Sequence, residues 1–225
     1  IGEEYIIPTL GVWNHFDEID FNALPDQFVL KCTHDSGGLV ICTDKSKFDR
    51  EVARKKIEHS LKRNFYWFGR EWPYKNVPAR IIAEKYMSED KNDTESTFNE
   101  INGGLRDYKL YCFDGKVKLY LVTTDRSKGA TTGDYFDEQN RHLDLIWGFP
   151  NAKTIPDVPN NIEKMKELAE ILAAGIPQLR VDFYCIHDKV YFGELTFFDG
   201  SGFDEIEQEC YRNLLGDYIK LPTLV

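Results

Sequence analysis

Two carboxylates in the second half of the chain are spaced so that they could bind a divalent cation. Residues 179–184 and 190–196 are rich in aromatic and β-branched side chains, and a short polar break between them predicts a β-hairpin. In that hairpin Asp182 would face Glu194. Opposed carboxylates repel each other, and a bound Mg²⁺ would reverse this cost because hard cations prefer carboxylate and phosphate oxygens. The hairpin therefore predicts a metal site.

This interpretation depends on the register of the hairpin. A three-residue turn at 187–189 would pair Ile186 with Val190 and would bring the two acids face to face. A two-residue turn would instead set Asp182 opposite Gly193, and a solvated face with weak repulsion is a further alternative. In the first register the two acids share their face with Arg180, Tyr184, Phe192 and Thr196.

A second group of residues could bind an anion. Lys31 ends an apolar strand and is followed by a loop that contains His34, Ser36, Gly37 and Gly38. Glycine lets successive backbone N–H groups approach a phosphate closely, and a lysine at the strand end adds a point charge. The alternative is an ordinary hairpin turn with a surface lysine, and the P-loop spacing is absent.

Two further sites follow strand-like segments. Glu84, Lys85 and Met87 close a buried strand just before a polar segment, where backbone groups could meet the edge of a purine; a solvated strand end is the alternative. Asp107 and Lys109 alternate onto one face of a later hairpin, which fits either cross-strand charge pairing or a role in a site. No histidine shows zinc-like spacing, and only the loop histidine lies near a candidate site.

The elements that position these residues are short strands with few helices. Asp114 and Gly115 predict a tight turn between strands at 107–113 and 116–123. Helices are expected from Thr43 or Asp44 to about residue 63, at 162–174 and at about 205–214. The side chains expected to face inward on the first helix are Phe48, Val52, Ile57 and Leu61. Two polar segments, 88–104 and 126–140, are expected to be mobile loops. This order predicts an α+β protein with antiparallel hairpins.

Composition narrows the class of function. The net charge of −10 argues against a general nucleic-acid binder, although it permits a local basic pocket for a nucleotide. Five cysteines without CxxC spacing indicate free thiols in a reducing, cytoplasmic compartment. No apolar run reaches membrane-spanning length, and no signal peptide is visible. Because the chain starts at Ile1, an upstream segment is expected.

Taken in order, these motifs resemble those of the ATP-grasp superfamily. The shared order is a strand lysine, a Gly-rich loop, a strand ending in Glu-Lys, and a late hairpin with Arg-Val-Asp-Phe and Glu-x-Thr. The resemblance implies an α+β ATP-grasp fold in which two lobes with antiparallel sheets grip the nucleotide between them. It implies a small nucleotide-gripping lobe at about residues 26–84 and a C-terminal lobe with the metal-binding hairpin at about residues 85–225.

The resemblance also implies residue roles. The late hairpin of the superfamily supplies Mg²⁺ ligands, which correspond here to Asp182, Glu194 and Thr196, with threonine where asparagine is usual. Residues matched to the nucleotide site are Lys31, His34, Ser36, Gly37, Gly38 and Lys109, with Glu84, Lys85 and Met87 at the adenine. Lys31 and Arg180 correspond to groups that stabilise the transferred phosphoryl.

The chain is more closely similar to the TupA-like ATP-grasp family, over nearly its full length. The resembling stretches are residues 7–12, 28–37, 107–115, 181–184 and 193–196. Members are linked to the synthesis of cell-surface polysaccharide and teichuronopeptide, and some carry the label glycosyltransferase. The family usually begins further upstream, with another lysine of the nucleotide site, so we expect that lysine outside this chain.

The family resemblance implies a cytoplasmic carboxylate–amine ligase that uses ATP with Mg²⁺ or Mn²⁺. A carboxylate of a small molecule or glycan precursor would attack the γ-phosphate, and an amine or other nucleophile would displace phosphate from the acyl phosphate. One alternative is a glycosyltransferase, which should show an Asp-x-Asp motif near a strand end; none occurs in a suitable place. A non-catalytic nucleotide-binding module is the other alternative. The oligomeric state is left open.

Overall fold

The computed structural model describes residues 1–88, 106–124 and 131–221. Most of the predicted loop at 88–104, and residues 126–130 of the second predicted loop, lie outside the described residues. The chain divides into a smaller unit, Ile7–Thr97, and a larger unit, Ile1–Ile6 with Phe98–Val225. Both units are built on antiparallel sheets with few helices, which confirms the predicted α+β class. The predicted lobe boundary near residue 84 stays a prediction.

Over its described residues, 7–88, the smaller unit has the strands β1 (Thr9–Trp13), β2 (Phe28–Cys32), β3 (Leu39–Cys42) and β4 (Ile81–Lys85), and the α-helices α1 (Arg50–Leu61) and α2 (Tyr66–Gly69). The strands form one sheet in the order β1-β4-β2-β3. Alternate side chains bury one face of the sheet in a core with α1: Phe28, Leu30, Cys42 and Ala83 from the sheet, with Ile57 from the helix. The other face, which carries Lys31 and Glu84, is half-buried.

Helix α1 begins later than the sequence predicted. Asp49 caps it, since its carboxylate accepts hydrogen bonds from the N–H groups of the next turn, whereas Asp44 caps a separate short 3₁₀ turn before it. Within α1, Val52 lies five residues before Ile57, which places the two side chains on different sides of the helix, whereas Ala53 lies four residues before it. Val52 is 60% exposed, and Ala53 takes the inward position beside Ile57. The prediction for Val52 was therefore wrong.

Within the described residues, the larger unit has the strands β5 (Asp107–Phe113), β6 (Lys116–Thr124), β7 (Thr132–Asp137), β8 (His142–Leu143), β9 (Gln178–Ile186) and β10 (Lys189–Thr196), and the α-helices α3 (Ile162–Leu172) and α4 (Glu209–Tyr218). The strands form one sheet in the order β10-β9-β5-β6-β7-β8. Met165 and Leu168 of α3 pack on one face, and Leu215 of α4 packs on the other. The fourth helix was expected about four residues earlier, at 205–214.

The predicted loop at 126–140 was wrong at residues 132–137. Thr132–Asp137 is strand β7, which pairs with β6 and buries Tyr135 and Phe136. Asp134, one of the polar residues of this segment, is fully buried. Its carboxylate accepts from the backbone N–H of Ala152 at 3.1 Å and lies 2.9 Å from the His142 ring nitrogen. A buried acid with such partners belongs to the sheet rather than to a solvated loop.

The predictions from the cysteines and from hydropathy can be compared with the described residues. All five cysteines are free thiols; Cys32, Cys42 and Cys112 are buried, and Cys210 is exposed. Within the described ranges, no helix is long and apolar enough to cross a membrane.

Candidate functional site

The hairpin of β9 and β10 pairs the two predicted acids, but its turn and its register differ from those predicted. Its turn has two residues, His187 and Asp188, both with positive φ of 50° and 59°. Ile186 therefore pairs with Lys189, and the predicted pairing with Val190 was wrong.

A two-residue turn would have set Asp182 against Gly193, but the register shifts by one residue between Phe192 and Glu194. This bulge restores the Asp182–Glu194 pair that the three-residue turn had predicted. Phe192 consequently pairs with Phe183 and packs on the core side, not on the face of the acids.

Two rows of polar side chains run across strands β5, β9 and β10. In the first row Lys109 pairs with Asp182, and Asp182 pairs with Glu194. In the second row Tyr111 pairs with Arg180, and Arg180 pairs with Thr196; these pairs follow the same face one alternation further along. The structure thus brings together five residues predicted for the site: Lys109, Arg180, Asp182, Glu194 and Thr196.

Arg180 contacts three carboxylates of this cluster. Its Nε and Nη2 donate to the two oxygens of Asp182 at 2.7 and 2.8 Å, and Nη2 also donates to Glu194 at 2.9 Å. Its Nη1 donates to Asp199. Burial disfavours the charge, but the adjacent carboxylate of Asp182 outweighs it, so the pKa of Arg180 is raised above its ordinary value. All three nitrogens already contact carboxylates, which makes Arg180 a residue that positions the acids.

Three residues of the cluster were not predicted as site residues. Asp107 lies 3.7 Å from the Lys109 ammonium, which also contacts Asp182. Asp199 accepts from Arg180 and, at 2.7 Å, from the Tyr111 hydroxyl. The alternation of Asp107 with Lys109 was a visible signal. Asp199 lies in the Gly-rich segment after β10, and nothing in the sequence of that segment predicted its contact with Arg180 on β9.

The cluster places several carboxylates around two cations. Lys109 contacts Asp107 and Asp182, and Arg180 contacts Asp182, Glu194 and Asp199. Desolvation by the surrounding protein, and then the Asp182 carboxylate, raise the pKa of Glu194. The Glu194 side chain is nevertheless 57% exposed, so water reaches it and screens this repulsion.

The donor set fits Mg²⁺ bound together with a phosphate ligand. Within the described ranges, no group of three or more His, Cys, Asp or Glu side chains could hold a metal by itself. Mg²⁺, however, is usually held by one or two carboxylates while substrate phosphates and water complete its octahedron. Asp182 and Glu194 supply two carboxylates in direct register.

Thr196, at the position where the motif usually has asparagine, contacts one of the two acids. Its hydroxyl donates to Glu194 Oε1 at 3.3 Å. The observed contact therefore orients a carboxylate, and a direct bond from Thr196 to the metal stays a prediction.

The smaller unit carries the residues predicted for phosphate and adenine. Lys31 and Glu84 form an ion pair across neighbouring strands, with side chains that are 41% and 20% exposed. The backbone N–H of Lys85 donates to Pro8 at 2.9 Å, so this group is used within the sheet. The side chain of Lys85 is exposed, and Met87 follows the strand with a half-buried side chain.

The Gly-rich loop between β2 and β3 is anchored on the end of α1. The His34 ring is 4% exposed, and its Nε2 lies 2.8 Å from the Arg63 carbonyl oxygen. Gly38 approaches the helix so closely that a Cβ would lie 2.2 Å from the Ser60 hydroxyl, while Gly37 has a φ of 95° and nothing within 4 Å of such an atom. The histidine thus holds the loop from behind, and the exposed residues Ser36 and Gly37 form its tip.

Comparison with known proteins places the chain in a family. The profile of TupA-like ATP-grasp proteins matches residues 1–220. No curated protein matches the chain. Its fold is similar to that of the D-alanine–D-alanine ligase from Bacillus anthracis complexed with ATP (13% identity, 85% of this chain, 49% of that chain, TM-score 0.47).

Two further structures are similar at the same level. They are the D-alanine–D-alanine ligase from Helicobacter pylori (14% identity, 87% of this chain, 50% of that chain, TM-score 0.43) and the ATP-grasp ligase PsnB with a precursor variant, Mg and ADP (10%, 85%, 44%, 0.43). The chain spans about half the length of these structures. Such distant likenesses add nothing about the reaction. The profile match over residues 1–220 shows that the chain belongs to the TupA-like ATP-grasp family.

Proposed function

We propose that the chain is the ATP-binding part of an ATP-dependent ligase, and that Asp182 and Glu194 hold the Mg²⁺ of Mg-ATP. The observation that carries this proposal is the direct opposition of the two acids across the pair of strands β9 and β10. Arg180 donates to both acids and offsets part of their repulsion, and a divalent cation beside them would offset more of it. Family membership gives the same expectation independently.

Residues of the smaller unit are assigned to the phosphates and the purine in this proposal. Lys31 leaves its partner Glu84 and contacts phosphate oxygens instead. This exchange costs little, because the Lys31 side chain is 41% exposed and such an ion pair is weak in water. The N–H groups at Gly37 and Gly38 add hydrogen bonds to the phosphates. Glu84, Lys85 and Met87 lie at the purine, with His34 fixing the loop from behind.

The reaction is an ATP-driven condensation. A carboxylate oxygen attacks the γ-phosphorus, the bond to the β-phosphate oxygen breaks, and ADP leaves with an acyl phosphate as the other product. The amine nitrogen then bonds to the acyl carbon, inorganic phosphate leaves, and the amine proton passes to water or a base. Bound Mg²⁺ supplies charge neutralisation to the phosphate oxygens.

The residues around the two acids act on their geometry. Arg180 holds Asp182, Glu194 and Asp199 at once, and is a positioning residue in this proposal rather than a direct ligand of the phosphoryl group. The Thr196 hydroxyl orients Glu194. Lys109 balances charge beside Asp182.

The acceptor class is inferred from the family. We assign the carboxylate to a cell-surface polysaccharide precursor and the nucleophile to an amine, so that the enzyme works in polysaccharide biosynthesis in the cytoplasm. Free thiols at Cys32, Cys42 and Cys112 fit a reducing compartment.

The test is phosphate release from ATP in the presence of Mg²⁺, screened over uronic acids and amino acids as carboxylates and amines. We expect release that requires both partners and is abolished in Asp182→Asn/Glu194→Gln. Tight binding of a UDP-sugar without ATP binding would instead indicate a glycosyltransferase. ATP binding without turnover of any pair would indicate a nucleotide-binding module.

A further inference from the structure

Lys109 contacts Asp182, one of the two carboxylates proposed to bind the metal ion. Its ammonium contacts Asp182 and lies 3.7 Å from Asp107. The side chain is 13% exposed, and the two carboxylates are 3% and 4% exposed. Lys109 therefore lies between two nearly buried acids, one of which is a proposed metal ligand.

The oxygens of Asp182 are largely occupied by cationic donors. Oδ2 accepts from Lys109 and, at 2.8 Å, from Arg180 Nη2, while Oδ1 accepts from Arg180 Nε at 2.7 Å. An ionised carboxylate has about four lone-pair sites, so three of them are used. A divalent cation at Asp182 would also stand within a few ångströms of the ammonium and repel it strongly.

Of the two cations at Asp182, Lys109 is the one able to leave. Arg180 is bound to three carboxylates through a rigid planar fork, whereas an ammonium on a four-carbon stem rotates freely. Asp107 offers an alternative partner on the same strand, two residues away on the same face.

We propose that Lys109 and the divalent cation compete for Asp182, and that cation binding transfers the Lys109 ammonium from Asp182 to Asp107. Lys109 is then a positioning residue that keeps Asp182 paired and releases it to the metal. This inference rests on the metal site assigned to Asp182 and Glu194 in the proposed function.

The first test measures Mn²⁺ binding in the absence of nucleotide. Electron paramagnetic resonance is used because it distinguishes the free ion from the bound ion. Lys109→Met removes the competitor, so we expect the Kd for Mn²⁺ to fall about tenfold. Lys118→Met is the control, since Lys118 lies on β6 with Glu138 as its partner at 3.5 Å, and its loss changes the net charge equally. Asp107→Asn removes the alternative partner and should raise the Kd several-fold.

A second measurement follows the amine itself in the wild-type chain. In NMR spectra of the chain with isotope-labelled lysines, Mg²⁺ should shift the side-chain resonance of Lys109 and should leave that of Lys118 unchanged. Equal or weaker Mn²⁺ binding by Lys109→Met, or an equal gain in Lys118→Met, would overturn the competition. If the wild-type chain binds Mn²⁺ but Lys109→Met gains nothing, only this inference fails. If neither protein binds Mn²⁺, with or without ATP, the proposed metal site fails as well.

Discussion

Replacing Arg180 by Met tests whether the charged cluster is the structural centre of the larger unit. The guanidinium is 9% exposed and donates to Asp182 twice, to Glu194 and to Asp199. Its removal leaves Asp182, which is 3% exposed, with Lys109 as its remaining cation.

Breaking a buried ion pair from one side costs about 3–5 kcal/mol, because the remaining charge stays buried. The cost at this cluster should lie at the lower end. Glu194 is 57% exposed and Asp199 is 17% exposed, so water can solvate both after the substitution. We therefore expect a loss of about 3 kcal/mol in the free energy of unfolding, or roughly 6–12 °C in Tm.

The assay is urea unfolding of the whole chain followed by circular dichroism and tryptophan fluorescence. Arg141→Met is the matched control, since Arg141 pairs with Asp137 at 2.6 Å but its side chain is 74% exposed. An exposed pair of this kind contributes less than about 1 kcal/mol. Arg180→Lys, which keeps the charge but not the fork, should fall between the two. If Arg180→Met costs no more than Arg141→Met, the cluster does not stabilise the unit as argued.

Three further predictions follow from the same structure. Gly193→Ala places a Cβ 3.1 Å from the Asp182 carbonyl oxygen at the bulge, so we expect it to lower the free energy of unfolding by about 1–2 kcal/mol and to weaken Mg-ATP binding. The control is Gly216→Ala in α4, where the space is open and the substitution should be neutral or stabilising. Equal effects of the two substitutions in unfolding titrations would contradict the role of the bulge. Because desolvation and then Asp182 raise the pKa of Glu194, Mg-ATP affinity measured by calorimetry should fall as pH drops toward that pKa, and Glu194→Gln should remove this slope. Burial raises the pKa of Cys112 from 9.0 to about 12, so the thiol ionises at lower pH in the unfolded chain than in the folded chain. The stability associated with the neutral thiol is therefore complete below pH 9 and is lost as pH rises toward 12. The free energy of unfolding should decline less at high pH in Cys112→Ala than in the wild-type chain.

The local patterns predicted most of the strands and the turn at Asp114–Gly115. That turn has positive φ at both positions, 50° and 73°, as the Asp-Gly signal implies. Strand β7 was missed because a fully buried Asp134 resembles a loop residue until its tertiary partners are known. The start of α1 was missed because two aspartates that are five residues apart, Asp44 and Asp49, each cap a helical turn.

The candidate site was predictable as a set of residues but not as a network. Alternation placed Asp182 and Glu194 on one face, yet their pairing depends on a bulge at Gly193 that the sequence did not indicate. The contact of Asp199 with Arg180 joins residues 19 positions apart, and it arises from a chain reversal after β10. Such long-range contacts are fixed by packing of the whole unit, which no local pattern encodes.

The central claim is that Asp182 and Glu194 bind the metal of Mg-ATP. Its most direct test is a calorimetric titration of the chain with a non-hydrolysable ATP analogue, with Mg²⁺ and with excess EDTA. We expect binding that is at least tenfold tighter with Mg²⁺ in the wild-type chain, and no such difference in Asp182→Asn/Glu194→Gln. Nucleotide binding that depends on Mg²⁺ equally in both proteins would contradict the assignment.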